Sequence, residues 1–280
     1  MPHGCVRRKA HIKLNKAHLL AVLTLAALPA AAVAQFVDTF NTIDPTWVTN
    51  RYAPAGFTSV IFDGDSRLQL TIDQTGSTAN RPAIFSSALY NTQGLQRPGG
   101  IIGDWTLSAQ IYVSSTFDTT TGALARSDLW GHTGTTPAGG DYAILGFTNA
   151  SPTDTLNAAA TDRSFRFEAF DGNTGNWFNL GVPNGFVFDA WHTLSETSTG
   201  STFEFYIDGS LILTNSTAAG ADLMSAMVQG YNFGGVGNYS TSVYWDNVSA
   251  SAIPEPATDA LVGALAVLGL AVWRRRRAAN

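Results

Sequence analysis

Short segments in which apolar and polar residues alternate are the feature that most constrains the fold of this 280-residue chain. Phe203, Phe205 and Ile207 alternate with polar residues, Asp208-Gly209 follows, and Ser210–Thr214 continues the pattern. A period of two residues is that of a β-strand with one buried face. Asp-Gly between two such segments predicts a tight hairpin turn.

Nine further segments have strand-like patterns and are separated by clusters rich in Gly, Asn and Asp. They are residues 57–62, 67–72, 83–90, 105–113, 141–148, 164–170, 190–196, 226–233 and 242–250. Helical periodicity is almost absent between them. Many short strands without intervening helices predict an all-β chain that folds as an antiparallel β-sandwich or jelly roll over residues 35–252.

The charge of the central region argues against nucleic-acid partners. Residues 35–253 hold 7 Arg, no Lys and 19 acidic residues, so their net charge is −12. Such a surface repels phosphates. The only cysteine is Cys5, which excludes a disulfide framework and cysteine-based zinc sites.

The N-terminus has the three parts of a secretory signal peptide. A basic region extends to Lys16, an apolar run covers residues 19–33, and Ala32-Val33-Ala34 supplies small residues before a cleavage site. We predict a signal helix in residues 1–34, with cleavage between Ala34 and Gln35 by signal peptidase after passage through the secretion translocon. A retained signal anchor is the alternative.

The C-terminus pairs a short apolar run with a basic cluster. Residues 260–273 carry no charge, and Trp273 is followed directly by Arg274, Arg275, Arg276 and Arg277. At about 1.5 Å per residue this run spans only about 21 Å of a hydrocarbon core about 30 Å thick. The pattern predicts a short transmembrane helix that ends at Trp273 and keeps the Arg cluster cytoplasmic. A plain tail anchor fits as well.

Pro254-Glu255-Pro256 precedes that run, and the three elements together resemble the PEP-CTERM sorting signal of Gram-negative bacteria. The resemblance covers about residues 253–280. It implies that a membrane protease-transpeptidase, exosortase, recognises Pro254, Glu255 and Pro256 and processes the tail. It further implies an inner-membrane intermediate, a final place at the cell surface or in the extracellular matrix, and an association with biofilm polysaccharide.

Three motifs in the body resemble the concanavalin A-like, laminin-G-like sandwich superfamily. They are Trp191-His192-x-Leu194, Phe205-Tyr206-x-Asp208-Gly209 and the closing segment Val243–Val248. The superfamily includes lectins, glycan-binding modules, adhesion domains and glycosidases, so the resemblance implies the fold and not one activity.

No motif of a reaction centre stands out in the sequence. Glycosidases of this fold carry two Glu close together on one strand with an Asp between them, whereas Glu168, Glu196 and Glu204 are far apart. Distant carboxylates could still meet in space. On this ground the sequence predicts no catalytic residue and a protein that is not an enzyme.

Two kinds of binding site remain open. Trp130, His132, Tyr142 and Trp177 are in or beside turn-rich segments, where aromatic rings could stack on sugars. Asp63 and Asp65 are weak calcium candidates, although Asp and Gly are also the residues that tight turns require. No other cofactor is expected.

The sequence therefore predicts an exported, non-catalytic protein that binds or organises extracellular polysaccharide. Two alternatives stay open: a structural matrix protein without a discrete ligand site, and a polysaccharide-degrading enzyme of the concanavalin A-like fold.

Overall fold

The computed structural model describes residues 34–73, 92–118, 124–133, 141–150, 165–172, 174–199, 202–216, 222–232, 240–254 and 256–279. The chain divides into two compact units. Of the described residues, those from 34 to 253 belong to one unit and those from 254 to 279 belong to the other. The predicted strand at 83–90 and most of the predicted signal helix lie outside the described residues.

The larger unit is a sandwich of two antiparallel sheets, which confirms the predicted fold class. The first sheet contains β1 (Ala34–Asp38), β3 (Gly56–Phe62), β4 (Asp65–Asp73), β6 (Trp105–Val113), β11 (Ala190–Thr199), β12 (Thr202–Ile207), β13 (Ser210–Ser216) and β15 (Ser240–Ala252). Its order is β13-β12-β11-β6-β15-β4-β3, and β1 also pairs with β15. A short 3-10 turn, Ser115–Asp118, follows β6.

The second sheet contains β2 (Val48–Arg51), β5 (Gln93–Ile101), β7 (Ala125–His132), β8 (Tyr142–Thr148), β9 (Arg166–Asp171), β10 (Asn176–Gly181) and β14 (Leu223–Asn232). Its order is β10-β9-β8-β7-β14-β5-β2. The alternation predicted β8, β9 and β14, but it missed β2, β5, β7 and β10.

Two hairpin turns of the first sheet, between β3 and β4 and between β12 and β13, follow directly from their Asp-Gly pairs. Asp208 and Gly209 have φ angles of 51° and 75°, and Asp63 and Gly64 have φ angles of 52° and 82°. Positive φ at both central residues is the signature of a type I′ turn, which suits the twist of the flanking strands. The predicted hairpin at Asp208-Gly209 is confirmed.

The core lies between the sheets and is formed by alternate residues of each strand. In β6 the buried positions are Trp105, Leu107, Ala109, Ile111 and Val113, and the residues between them are half-buried on the outer face. The expected alternation is thus confirmed for β6.

One carboxyl group is enclosed in this core. Glu196 of β11 is fully buried, and neither of its oxygens has a hydrogen-bond partner of normal geometry. It lies against Gly131 of β7, where a Cβ atom would come within 3.0 Å of Glu196 Oε2 and 2.5 Å of the Trp105 ring. Burial raises the pKa of Glu196 well above its ordinary value, against a smaller opposing effect of the Gly131 backbone amide. Burial in the core therefore favours the protonated, neutral form of this side chain.

The smaller unit contains one described helix, α1 (Pro256–Ala279). Proline suits the first turn of a helix because its missing N–H has no partner there in any case. Within the described part of the chain no helix is long and apolar enough to cross a membrane. The predicted short transmembrane helix is therefore not found. The sequence itself shows the reason, because the uncharged run covers only residues 260–273 and is rich in Ala and Gly.

Candidate functional site

The outer face of the second sheet carries an unusual concentration of buried charge. Along β7 the small or apolar residues point inward, and Arg126, Asp128, Trp130 and His132 point outward, because successive side chains alternate between faces. All four outward side chains are less than a tenth exposed.

Asp128 and Glu168 face each other across a glycine. In the strand register Asp128 is opposite Gly146 of β8, and Gly146 is opposite Glu168 of β9. Residues directly opposite in an antiparallel sheet share a face. A Cβ atom at Gly146 would come within 2.4 Å of Asp128 Oδ1. The absence of a side chain at Gly146 therefore leaves the space into which the Asp128 carboxyl leans.

A shared guanidinium group holds the two carboxyls together. Arg126 Nε lies 2.7 Å from Asp128 Oδ2 and 3.9 Å from Glu168 Oε1. Because one nitrogen makes both contacts, those two carboxyl oxygens can be no farther apart than the sum of the two distances. Arg166 Nη2 lies 3.4 Å from the other oxygen of Glu168.

The two oxygens of Asp128 have different surroundings. Oδ2 accepts hydrogen bonds from Arg126 at 2.7 Å and from the indole of Trp130 at 3.4 Å, whereas Oδ1 has no hydrogen-bond partner. Burial raises the pKa of Asp128 to about 6, and the charge of Arg126 and the Trp130 hydrogen bond oppose that rise. A carboxyl with this pKa can hold and release a proton near neutral pH.

Aromatic rings surround the carboxyl pair. The guanidinium of Arg126 is 4.4 Å from the ring centre of Trp177 and 5.8 Å from that of Tyr231. Trp177 of β10 is 42% exposed, so it connects the buried charges with the surface.

The four predicted sugar-stacking residues lie on this same face, but not as predicted. Trp130 and His132 are on a central strand and not in a turn-rich segment, and both are buried, as is Tyr142. The His132 and Tyr142 rings stack at 4.6 Å, and Arg51 lies 4.4 Å from the Trp130 ring centre. Of the four, only Trp177 is exposed enough to form part of a surface platform.

The calcium candidates have structural roles in the first sheet. Asp63 belongs to the hairpin turn and accepts a hydrogen bond from the Trp191 indole at 3.1 Å. Asp65 pairs with Arg67 at 3.2 Å. The described residues include no cluster of three or more His, Cys, Asp or Glu that could hold a metal ion.

The predicted cleavage residues belong to the larger unit, and the predicted sorting residues belong to the smaller one. Ala34 and Gln35 begin β1, so the predicted cleavage falls after the first residue of that strand. Pro254 follows β15, Glu255 lies outside the described residues, and Pro256 begins α1. Trp273 is half exposed, its ring 4.2 Å from the Arg277 guanidinium, and Arg274, Arg275 and Arg276 are exposed.

Sequence reasoning missed Asp128 and Arg126. The inward residues of β7 are Ala125, Ser127, Leu129 and Gly131, so the strand lacks an apolar alternation. Ser127 is tolerated inside because its hydroxyl accepts a hydrogen bond from the Trp245 indole at 3.2 Å. The useful signal in the sequence is the outward series Arg126, Asp128, Trp130 and His132, together with the alternation in residues 164–170, which puts Arg166 and Glu168 on one face.

Comparison with known proteins supports the fold. No protein-family model and no curated protein matches this chain. Among solved structures, an endo-β-galactosidase from Clostridium perfringens that releases GlcNAcα1-4Gal matches with 14% identity and a TM-score of 0.51, over 80% of this chain and 64% of that one. The cellulose-induced protein Cip1 matches with 14% identity and a TM-score of 0.50, over 77% of this chain and 96% of that one.

Two further matches have lower TM-scores. A glycoside hydrolase family 16 protein from Bacteroides ovatus matches with 13% identity and a TM-score of 0.49, over 77% of this chain and 99% of that one. A sialidase matches with 11% identity and a TM-score of 0.47; this chain is 80% covered and spans 19% of that one. At these identities the likeness shows the fold alone.

The prediction of a non-catalytic protein is wrong, and so is the prediction that the chain is not an enzyme. Both rested on the lack of two nearby carboxylates in the sequence. The structure brings Asp128 of β7 and Glu168 of β9 together although they are far apart along the chain, and its sandwich matches that of the endo-β-galactosidase.

Proposed function

We propose that this chain is a glycoside hydrolase that cleaves a polysaccharide, with Asp128 and Glu168 as its two catalytic carboxyls. The observation that carries the proposal is their convergence on Arg126 across Gly146, in a buried site bordered by aromatic rings. The endo-β-galactosidase that shares the fold supports the choice of a glycan as substrate.

Asp128 is the acid of the proposed reaction. With a pKa of about 6 it is protonated in a large fraction of molecules at mildly acidic pH. Its Oδ1 has no hydrogen-bond partner, so that oxygen can donate a proton to the glycosidic oxygen as the C–O bond breaks.

Glu168 is the anionic partner, since its two oxygens contact Arg126 and Arg166. Retaining glycosidases hold their carboxyls about 5–5.5 Å apart, whereas inverting enzymes need about 6.5–9.5 Å. Asp128 Oδ2 and Glu168 Oε1 both contact Arg126 Nε, so the distance between these two oxygens cannot exceed the sum of the two contacts. That upper limit lies at the lower end of the inverting range. The geometry therefore favours retention. In this mechanism Glu168 attacks the anomeric carbon, and water then releases the sugar with Asp128 acting as base.

Entry of the sugar requires a rearrangement at Arg126. Its Nε group contacts both carboxyls, and Asp128 is fully buried. The guanidinium also lies 4.4 Å from the centre of the exposed Trp177 ring. We therefore expect sugar binding either to move Arg126 away from both carboxyls or to leave it in contact with only one of them.

The test is release of reducing ends from a panel of polysaccharides by the purified full chain. The panel contains mixed-linkage β-glucan, β-1,3-glucan, β-galactan and a polyuronate. Asp128→Asn and Glu168→Gln should each lower the rate by about 10²- to 10⁴-fold. Glu204→Gln is the matched control, because Glu204 is a half-buried carboxyl of the first sheet that bonds the Tyr206 hydroxyl. Failure of the wild-type chain on every polymer, or full activity in Asp128→Asn, would overturn the proposal.

We also propose that the enzyme is exported and sorted through its two termini, on the strength of the signal-peptide pattern and the resemblance of residues 253–280 to a PEP-CTERM signal. The chain would then act at the cell surface or in the extracellular matrix. Replacing Pro254, Glu255 and Pro256 with alanine in a host with exosortase should leave the tail unprocessed. Unchanged processing would contradict this.

A further inference from the structure

A single row of residues crosses the whole outer face of the second sheet and contains no apolar side chain. From β2 to β9 the register places Asn50, Gly94, Gln229, Asp128, Gly146 and Glu168 directly opposite one another in turn. Asn179 of β10 continues it beyond Glu168. We call these seven residues the polar row. With strands about 4.8 Å apart, its six spacings extend about 29 Å.

Several polar atoms in this row lack partners although they are buried. Asn50, Gln229 and Asp128 are at most 2% exposed. Asn50 Oδ1, Gln229 Oε1, Gln229 Nε2 and Asp128 Oδ1 have no hydrogen-bond partner. Leaving such atoms unpaired destabilises a fold, and their occurrence in one row points to a ligand that pairs with them.

The two glycines of the polar row have no room for a side chain. A Cβ atom at Gly94 would come within 2.1 Å of the Val228 carbonyl oxygen and 3.0 Å of the Gln229 side chain. At Gly146 it would come within 2.2 Å of the Ser127 carbonyl oxygen. At both positions the neighbouring polar side chain, Gln229 or Asp128, occupies the space that a side chain at the glycine would need.

An apolar row runs beside the polar row. The next residues along the strands on this face, again matched in register, are Met227, Trp130, Ile144, Phe170 and Trp177. A polar row next to an apolar row with aromatic rings suits a ligand whose units have hydroxyl groups on their edges and C–H groups on their faces.

From this arrangement we infer that the polar row is the track for a neutral glycan chain, and that Gln229 and Asn50 hydrogen-bond its hydroxyl groups. The inference rests on the proposed function and deepens it. Neutral sugars are favoured because the free groups at Gln229 and Asn50 are amides, while Arg126 and Arg166 already pair with the acidic side chains.

The row is also asymmetric about the catalytic pair. Three strand spacings separate Asp128 from Asn50, whereas only one separates Glu168 from Asn179. The exposed Asn179 end is therefore short, and the Asn50 end holds most of the bound chain. Affinity should rise with oligosaccharide length until the ligand reaches Asn50.

The test measures binding of β-linked gluco- and galacto-oligosaccharides of two to six units by calorimetry. The full chain carries Glu168→Gln so that the ligand is not cleaved. Adding Gln229→Met should weaken binding about five- to tenfold, the effect of one or two lost hydrogen bonds. Adding Asn50→Leu should weaken binding of the longest oligomers and leave the dimer unchanged.

Thermal unfolding separates this role from a structural one. Gln229→Met removes two buried, unpartnered polar atoms at similar volume, so its melting temperature should equal or exceed that of the parent. Gln110→Met is the control, since Gln110 lies on the outer face of the first sheet and bonds Asn247. A lower melting temperature with unchanged affinity in Gln229→Met would overturn the inference, as would tighter binding of a polyuronate oligomer.

The outcomes also distinguish the two proposals. If the wild-type chain cleaves a polymer but Gln229→Met and Asn50→Leu bind its oligomers like the parent, only the glycan track is wrong. If these variants weaken binding although the wild-type chain cleaves nothing, the track stands and the hydrolase proposal fails.

Discussion

The outer faces of the two sheets differ in how their polar residues are paired. On the first sheet, hydroxyl groups pair across strands in half-buried positions, as in Thr71 with Ser242 at 2.8 Å and Thr106 with Thr197 at 3.3 Å. On the second sheet, Asp128 and Gln229 are fully buried and have unpartnered atoms. Unpartnered buried atoms also occur on the first face, at Arg67 Nε and Asp246 Oδ1, but the second face has four of them in one row, on Asn50, Asp128 and Gln229. Groups of this kind lower the stability of the fold. Such a sacrifice of stability is expected where a site must bind or react.

The largest difference between the two faces should appear in enzymatic activity when one aspartate of each face is replaced by asparagine. Asp128→Asn should lose about 10²- to 10⁴-fold in activity and keep its fold, because an amide oxygen at the Oδ2 position can still accept the hydrogen bonds from Arg126 and Trp130. Asp246→Asn on the first sheet removes the buried partner of Arg67 and should cost about 1–3 kcal/mol of unfolding free energy without loss of activity. Reducing-end assays and urea unfolding of both variants measure this. Equal loss of activity in the two would remove the distinction.

The pH dependence of activity sharpens the same comparison. Activity needs the protonated form of Asp128, whose pKa is about 6, so kcat/KM should fall as pH rises above about 6. Rates measured between pH 4 and pH 8 on the best substrate test this. A flat profile across pH 6 would exclude Asp128 as the acid.

A glycine of each sheet provides the next test. Gly146→Ala would place a Cβ atom 2.2 Å from the Ser127 carbonyl oxygen, and we expect a loss of about 1–3 kcal/mol together with reduced activity. At Gly56 the nearest atom would be Thr71 Oγ1 at 3.2 Å, so Gly56→Ala should be milder. Chemical unfolding of both proteins checks the order, and a more severe effect at Gly56 would contradict it.

Glu196 lies in the core between the two sheets, and the pH dependence of the unfolding free energy tests its effect. Its raised pKa means that the folded chain keeps a proton that the unfolded chain releases above its ordinary pKa of 4.5. Its stabilising effect is complete below that pH and is lost as pH rises toward the folded-state value. Above pH 4.5 this group should therefore make the unfolding free energy fall as the pH rises. Glu196→Gln should remove that slope, and a variant with the wild-type slope would exclude Glu196 as its source.

The smallest effect is expected on the polar face of the first sheet. Thr71→Ala removes a hydroxyl pair that water can replace, so it should cost about 0.5–1 kcal/mol and leave activity unchanged. A measurable change in substrate affinity would show that the first face is not purely structural.

The same contrast explains how much the sequence could predict. The strands of the first sheet alternate strongly, so 105–113 was predicted with its observed bounds and 57–62 within one residue. In the second sheet, β7 has Ser127 and Gly131 where core residues are expected, because Trp245 and Trp105 fill the space above them. A strand whose inward residues are small is not recognised by apolar periodicity.

The carboxyl pair was harder to predict because it depends on register. Asp128 and Glu168 meet only because Gly146 lies between them in the pairing of three strands, which no local pattern specifies. The local pattern does not specify the face of Trp191 either. It lies on the outer face of the first sheet, where its ring approaches Tyr112 at 5.6 Å. Its neighbour His192 is the buried residue of that pair, with its ring nitrogens 2.8 Å from Asp208 and Val187 oxygens.

The central claim is that Asp128 and Glu168 form a retaining glycosidase pair. The most direct measurement is the anomeric configuration of the first product, followed by proton NMR during cleavage of the polysaccharide that the full chain degrades best. The geometry predicts that the product first appears with the configuration of the substrate, and that Glu168→Gln yields no such product. A product of inverted configuration, or cleavage that persists in Glu168→Gln, would contradict the account.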